Sequence, residues 1–351
     1  MKWRLPSPLA NSASIALLLG ALLLTSCAGH QQSVIDPAGP QAGQINTLWW
    51  FFFALLSAIF VIVMVLTALT LTRRHRGIEQ EPLEQTHVPS AATEATLTRV
   101  VTAATIASVV ILFVLLVSSI VTGKNVSELQ DRKNPMVVEV TGLQWWWQIR
   151  YPNSDPRQVL VTANEIHIPV GRPVMIRGTS HDVIHSFWVP NLHGKRDLIP
   201  SRITTEWIEA DRPGVYRGQC AEFCGLQHAH MVLWVVAETP AQFKAWFDAQ
   251  LKPSITPSTP VLEHGQEVFL SHACVFCHSI RGTPASGKNA PDLTHFGSRR
   301  GIAANTLPNT AGNLGGWIVN PQNIKPGNHM ATIALNPPDL QPLLQYLESL
   351  K

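Results

Sequence analysis

A chain of 351 residues is long enough for more than one domain. Net charge is +3 and charged residues make up only 14%, which excludes the polybasic signature of a nucleic-acid binder. Hydrophobic residues reach 46%, many in runs near the N-terminus, and each of the five cysteines has a candidate role, leaving no pair over for a structural disulfide.

Lys2 and Arg4 precede an apolar run, Ile15 to Leu24, that ends in Leu24-Thr25-Ser26-Cys27. A charged start, a short apolar core and small residues before a cleavage point read as a signal peptide over 1–26. Small residues directly before a cysteine resemble a bacterial lipobox, which implies cleavage before Cys27 and lipidation of its thiol. Ordinary signal cleavage, or a retained anchor, is the alternative. After a segment over 27–47, residues 48–71 carry no charge and begin Leu48-Trp49-Trp50-Phe51. That is enough to cross a bilayer, with Trp49 and Trp50 at the interface. Residues 100–121 form a second uncharged run. The loop between, 72–99, opens with Arg73-Arg74-His75-Arg76, and short basic loops stay cytoplasmic. The rest of the chain is then expected on the outer, periplasmic face of a bacterial inner membrane.

From about Met136 the texture changes to short β-rich runs. Val137–Val140, Val159–Val161, Ile166–Ile168, Val174–Ile176 and Val232–Val236 are strand candidates, punctuated by Pro, Gly and Asn. Close-spaced short strands predict a Greek-key sandwich or barrel. Within it lies Cys220-Ala-Glu222-Phe-Cys224-Gly-Leu-Gln-His228-Ala-His-Met231, and upstream His185-Ser-Phe-Trp-Val-Pro190. Thiols, imidazoles and a thioether are the donors that suit copper. Two metals sharing two thiolates can spread one electron over both centres. The bland alternative, a Cys220–Cys224 disulfide, requires the remaining ligand types to fall in register by chance.

This pattern resembles the dinuclear copper (CuA) site of cytochrome c oxidase subunit II. The resemblance implies a cupredoxin domain over 122–251, with His185 and His228 as terminal ligands and Cys220 and Cys224 as bridges. Met231 would be one axial ligand and the Glu222 main-chain carbonyl the other. The Glu222 side chain would also reach a magnesium ion shared with subunit I. The two apolar spans match that family's transmembrane hairpin. Many subunit II chains carry a Glu at the start of the second span, where this chain has Thr98. Glu94 lies one helical turn earlier; it either substitutes for that carboxylate or, the expected reading, is a solvated loop charge. In Gln144-Trp145-Trp146-Trp147 the resemblance makes Trp145 the point where electrons arrive. A core or interfacial role is the other reading for Trp145, and the expected one for Trp146 and Trp147. The family's usual His-Gln-Trp is Leu143-Gln-Trp here. His167, His181, His193 and His230 read as surface or hydrogen-bonded groups, and Asp182 as a carboxylate able to orient His185.

Residues 252–260 are rich in Pro, Ser and Thr and read as a semi-extended linker. Then comes Cys274-Val-Phe-Cys277-His278, the c-type haem attachment motif, opening a cytochrome c domain over 261–351. Cys274 and Cys277 would bond a haem covalently and His278 would ligate its iron. Asn323-Ile-Lys-Pro-Gly-Asn-His329-Met330 resembles the loop that delivers the axial Met, so Met330 is the expected sixth ligand and His329 its rival. Gly265–Leu270, Asn313–Trp317 and Leu340–Leu350 match the all-α helices of class I cytochromes c.

The expected architecture is therefore multidomain: a two-helix hairpin, an all-β cupredoxin domain and an all-α cytochrome c domain. The resemblance implies a caa3-type oxidase. Electrons would pass from a soluble cytochrome c or a quinol-oxidising complex to haem c, then CuA, then haem a in subunit I. There, with haem a3 and CuB, oxygen would be reduced and protons translocated; subunit III is a further expected partner. This chain supplies no histidine set for oxygen chemistry. A self-fed copper reductase would need a further histidine cluster, and a quinol oxidase subunit would lack the copper ligands and haem motif. A stand-alone, membrane-anchored electron shuttle is the remaining alternative.

Overall fold

The computed structural model describes residues 32–74, 90–128 and 135–351. The expected signal peptide, Cys27 and the loop residues His75 and Arg76 lie outside the described residues.

Helices α1, Pro40–Arg74, and α2, Ala91–Glu128, come first and touch each other. Each extends beyond its uncharged run. The apolar run is a matter of composition, whereas backbone hydrogen bonding carries the helix on into polar residues. Both are long and apolar enough to cross a membrane. Their hydroxyls turn back onto their own helix: Thr67 Oγ1 donates to the Val63 carbonyl at 2.8 Å and Ser118 Oγ to that of Val114 at 2.8 Å. Such internal pairing is what a medium without water demands. Glu94 is not on a loop. It is exposed in the first turn of α2, where a carboxylate complements the positive end of the helix dipole, with Thr98 one turn on.

The β domain has ten strands: β1 Met136–Leu143, β2 Trp146–Tyr151, β3 Leu160–Ala163, β4 Glu165–Pro169, β5 Val174–Ser180, β6 His185–Trp188, β7 Lys195–Leu198, β8 Thr204–Ile208, β9 Gly214–Cys220 and β10 Val232–Glu238. They form two five-stranded sheets, ordered β3-β2-β1-β5-β8 and β4-β10-β9-β6-β7. Alternation with period two turns Val138 and Val140 of β1, and Val174 and Ile176 of β5, into the space between the sheets. Trp147, Ile149, Leu160, Ile166 and Ile168 complete this core. The chain just before α1 is tied to the same domain: Ala38 N–H donates to the Asn191 carbonyl at 2.7 Å, and Asp211 N–H to that of Ala38 at 2.8 Å.

Helix α3, Pro240–Gln250, is started by a capping box between Thr239 and Gln242 and leads into the linker. The linker has little regular structure yet is held at its start. Arg281 donates to the carbonyls of Leu251 and Gln250 at 2.8 and 2.9 Å, and Ser254 N–H to that of Arg281 at 2.9 Å. Beyond it lie α4 Pro260–Ser271, α5 Cys274–Cys277, the small ladder β11 Gly301–Ile302 with β12 Leu307–Pro308, α6 Ala311–Val319, α7 Pro321–Ile324 and α8 Pro337–Ser349. Helices α4 and α8 cross at Gly265, where a Cβ would fall 2.1 Å from the Pro342 carbonyl oxygen.

The two domains touch through specific hydrogen bonds. Arg300 N–H donates to Glu165 Oε1 at 2.6 Å, Val232 N–H to the Ala304 carbonyl at 3.3 Å, and Asn305 Nδ2 to that of Asn164 at 2.9 Å. The turn making these contacts, Ala303, Ala304 and Asn305, has positive φ throughout (53°, 56° and 58°), a conformation that costs non-glycine residues free energy and that the docked surface holds in place.

Candidate copper centre and haem pocket

Antiparallel pairing of β6 with β9 sets Phe187 opposite Cys220, so His185, at the start of β6, reaches the thiol at the end of β9. The loop leaving β9 returns through Met231 to β10, and its base is closed by the Cys220 N–H donating to the Met231 carbonyl at 3.0 Å. These ends gather the donors. The Sγ atoms of Cys220 and Cys224 are 3.7 Å apart. His185 Nδ1 lies 3.8 Å from Cys220 Sγ, and His228 Nδ1 3.7 Å from Cys224 Sγ. Met231 Sδ is 3.9 Å from Cys224 Sγ, and the Glu222 carbonyl oxygen 3.2 Å from Cys220 Sγ. His185, Cys220, Cys224 and Met231 are buried and His228 is half-buried.

The donors fit the metal. Two ligands each about 2.0–2.3 Å from a shared ion lie about 3.5–4 Å apart, and the donor chemistry is that of copper. One imidazole stands at each end of the dithiol pair, with one weak donor beside each sulfur. Asp182 Oδ1 accepts from His185 Nε2 at 2.8 Å, which leaves Nδ1 facing the thiols. Burial opposes the charged forms of both, but the hydrogen bonds that His185 gives to Cys220 and Asp182, and those that Asp182 accepts from His185 and from the Gln144 and Val183 amides, prevail. His185 is raised and Asp182 lowered from its ordinary range. The hydrogen bond between the thiols splits them, holding Cys220 well below the ordinary thiol range and pushing Cys224 above it. Gly142 is required beneath the site, because a Cβ there would fall 2.6 Å from His185 Cδ2.

Cys274, Cys277, His278 and Met330 line one cavity of about 740 Å³ that lies between the helical and β domains, walled by Phe269, Trp317 and Leu343 on one side and by Leu143, Trp145 and Trp146 on the other. The His278 Nδ1–H donates to the Pro291 carbonyl at 2.8 Å, so Nε2 is the free ring nitrogen. Burial pulls the His278 pKa below its ordinary value and keeps the imidazole neutral, the form that ligates iron. The Met330 loop is braced: its N–H donates to Asn328 Oδ1 at 2.8 Å, and Gln322 Nε2 donates to its carbonyl at 3.1 Å. His329, the rival ligand, is exposed on the same cavity's lining, its ring centroid 5.7 Å from that of Trp145. Volume, apolar walls, two thiols and a free imidazole nitrogen suit a haem.

Trp145 joins the two sites. It is buried at 7% exposure, lines the cavity, and its indole Nε1–H donates to the Cys224 carbonyl at 3.0 Å. Trp147 is a core residue and Trp146 is half-buried. His167 bonds Glu238, His193 lies 3.3 Å from buried Glu206, and His230 bonds Gln227, while His181 is exposed. Residues unsuspected from the sequence are Gln144, whose Nε2 also donates to the Cys224 carbonyl at 2.8 Å, and Gln227 and Lys325, which bridge the domains. A lysine before Pro-Gly in a haem loop was the one visible sign.

Fold and site define a two-domain redox protein, a β-sandwich of cupredoxin type followed by a helical cytochrome c domain. Comparison with known proteins agrees. Residues 136–238 match the family described as cytochrome c oxidase subunit II, periplasmic domain, and residues 262–351 match the cytochrome c family. Cytochrome c oxidase subunit 2 of Alkalihalophilus pseudofirmus is 34% identical over 339 residues, covering 94% of each chain. The protein of the same name from Bacillus sp. strain PS3 is 32% identical over 267 residues, covering 70% of this chain and 73% of its own. The solved periplasmic domain of cytochrome oxidase subunit II of Bradyrhizobium japonicum is 28% identical, with a TM-score of 0.32, covering 34% of this chain and 95% of that one. The chain belongs to the cytochrome c oxidase subunit II family, in the form that carries a fused C-terminal cytochrome c domain.

Proposed function

We propose that this chain is the electron-relay subunit of a caa3-type oxidase, taking electrons at the C-terminal domain and handing them on through the copper domain. The observation that carries this is a continuous arrangement: the cavity with Cys274, Cys277, His278 and Met330 is also lined by Trp145, which is bonded to Cys224 of the copper loop. Bound copper and haem c would supply the one-electron chemistry. This chain's residues do the rest. Cys274 and Cys277 tether the haem, and His278 and Met330 hold its iron. His185, Cys220, Cys224, His228 and Met231, with the Glu222 carbonyl, hold two coppers. A buried, pre-formed donor cluster changes little when its charge changes, which keeps reorganisation small. Trp145 shortens the gap between the two sites with an indole face.

Oxygen reduction to water and proton translocation belong to subunit I, which carries haem a, haem a3 and CuB. Subunit III is a further partner, and the Glu222 carboxylate contributes to a magnesium site at the subunit I boundary. The donor is a soluble cytochrome c or a quinol-oxidising complex. Helices α1 and α2 both cross the inner membrane, with Cys27 adding a lipid anchor and both redox domains in the periplasm.

Purification in mild detergent tests the reading. Two coppers and one covalent haem per chain, with haem a and oxygen uptake co-purifying, are the expected result. A lone coloured chain would make it a free-standing shuttle, and a chain with one copper or none would end the relay.

A further inference from the structure

Lys325 sits in the loop that presents Met330, yet its side chain is buried at 3% exposure. Its Nζ donates to the Trp145 carbonyl at 2.8 Å and to the Ala303 carbonyl at 3.1 Å. A buried lysine is rare without a carboxylate partner, and its desolvation is costly. Burial pulls its pKa down to about 7, against a smaller upward pull from Cys224. An apolar side chain would fill the same space without that cost, so what the ammonium adds is donation to two carbonyls. The contact is also one link of a closed ring. The Trp145 indole and Gln144 Nε2 both donate to the Cys224 carbonyl, at 3.0 and 2.8 Å. Further along the copper loop, Gln227 Nε2 donates to the carbonyl of Pro326, the neighbour of Lys325, at 2.7 Å. The ring thus runs from haem loop to tryptophan to copper loop and back.

We propose that Lys325 is a positioning residue that clamps the haem-bearing loop to the main chain of Trp145 and so fixes the indole between the haem pocket and Cys224. Neither Lys325 nor Gln227 belongs to a ligand set; both act through Trp145 and the loop carrying Cys224. This role rests on the relay reading above.

The test uses the assembled, cofactor-loaded complex with Lys325→Met, and Lys325→Gln as a second variant should the first fail to assemble. Copper and haem contents are expected unchanged. Hydrogen exchange of the peptides carrying Trp145 and Cys224 should accelerate by about tenfold, the loss of one charge-assisted hydrogen bond, with strands β4 and β5 unaffected. Photo-initiated transfer from haem c to copper should slow by about tenfold or more, while transfer from copper to haem a keeps its rate. Lys325→Arg, which keeps a cationic donor, should recover part of both. Unchanged exchange at Trp145, or equal slowing of both transfer steps, would overturn the role and leave the relay intact. Absence of any haem-to-copper transfer in the unaltered chain would overturn the relay and this role with it.

Discussion

His167 shows how one side chain couples an element to its domain. Its Nδ1 lies 3.1 Å from Glu238 Oε2, its Nε2 3.9 Å from Glu165 Oε2, and its ring stacks on Trp246 of α3 with centroids 3.9 Å apart. Burial by itself would lower its pKa, but hydrogen bonds and charge from Glu165 and Glu238 outweigh it and raise the value above 6.5. A raised folded pKa means that the protonated ring favours the folded state. The contribution is complete below pH 6.5 and is lost as pH climbs through the raised value. Thermal unfolding should therefore show a stability gap between the unaltered protein and His167→Gln that narrows on going from acid to alkaline pH. A gap independent of pH would show that the ring stack alone matters. The candidate copper donors were legible at this scale because most share one twelve-residue stretch whose spacing is itself the signal. Lys325 was not, because its partner Trp145 lies 180 positions away.

Among the elements, strands were visible where inward positions are aliphatic and hidden where they are not. β10, Val232–Glu238, announced itself as an apolar run. β9, Gly214–Cys220, turns Tyr216, Gly218 and Cys220 inward, and β6 begins with buried His185 and Ser186, so neither shows the usual alternation of aliphatic and polar residues. The haem-domain helices were legible from motif order, but their packing was not. Gly265→Ala would drive a Cβ against the Pro342 backbone, which cannot yield without separating α4 from α8. The expected loss is about 3 kcal/mol, at the upper end for overpacking, read from denaturant unfolding followed by haem absorbance. Gly315→Ala provides the contrast, since its Cβ would only approach Leu344 Cδ1 at 3.4 Å. Equal losses for the two variants would refute the crossing as the cause.

At the scale of the molecule, composition reads the linker as semi-extended. Its start is bonded to Arg281 and lies within reach of His295, and the domains it joins share bonds through Arg300, Ala304, Asn305, Gln227 and Lys325. A protease site built into 255–258 and then cut should leave the haem domain attached through size-exclusion chromatography. Retention should persist in raised salt, because most of these bonds are neutral or buried and poorly screened. Release of the haem domain on cutting would mean that covalent tethering alone keeps the domains together.

Motifs and periodicity by themselves determined the family, the order of domains, the donor chemistry and the existence of two membrane-length helices. Those signals are local, carried by residues within a few turns or one loop of each other. Tertiary structure decided that Trp145 lines the cavity while its indole is bonded to the Cys224 carbonyl, and that Lys325 is buried against the Trp145 carbonyl. Contacts of that kind join distant segments, and no stretch of sequence records them, because burial belongs to the folded surface and not to the residue.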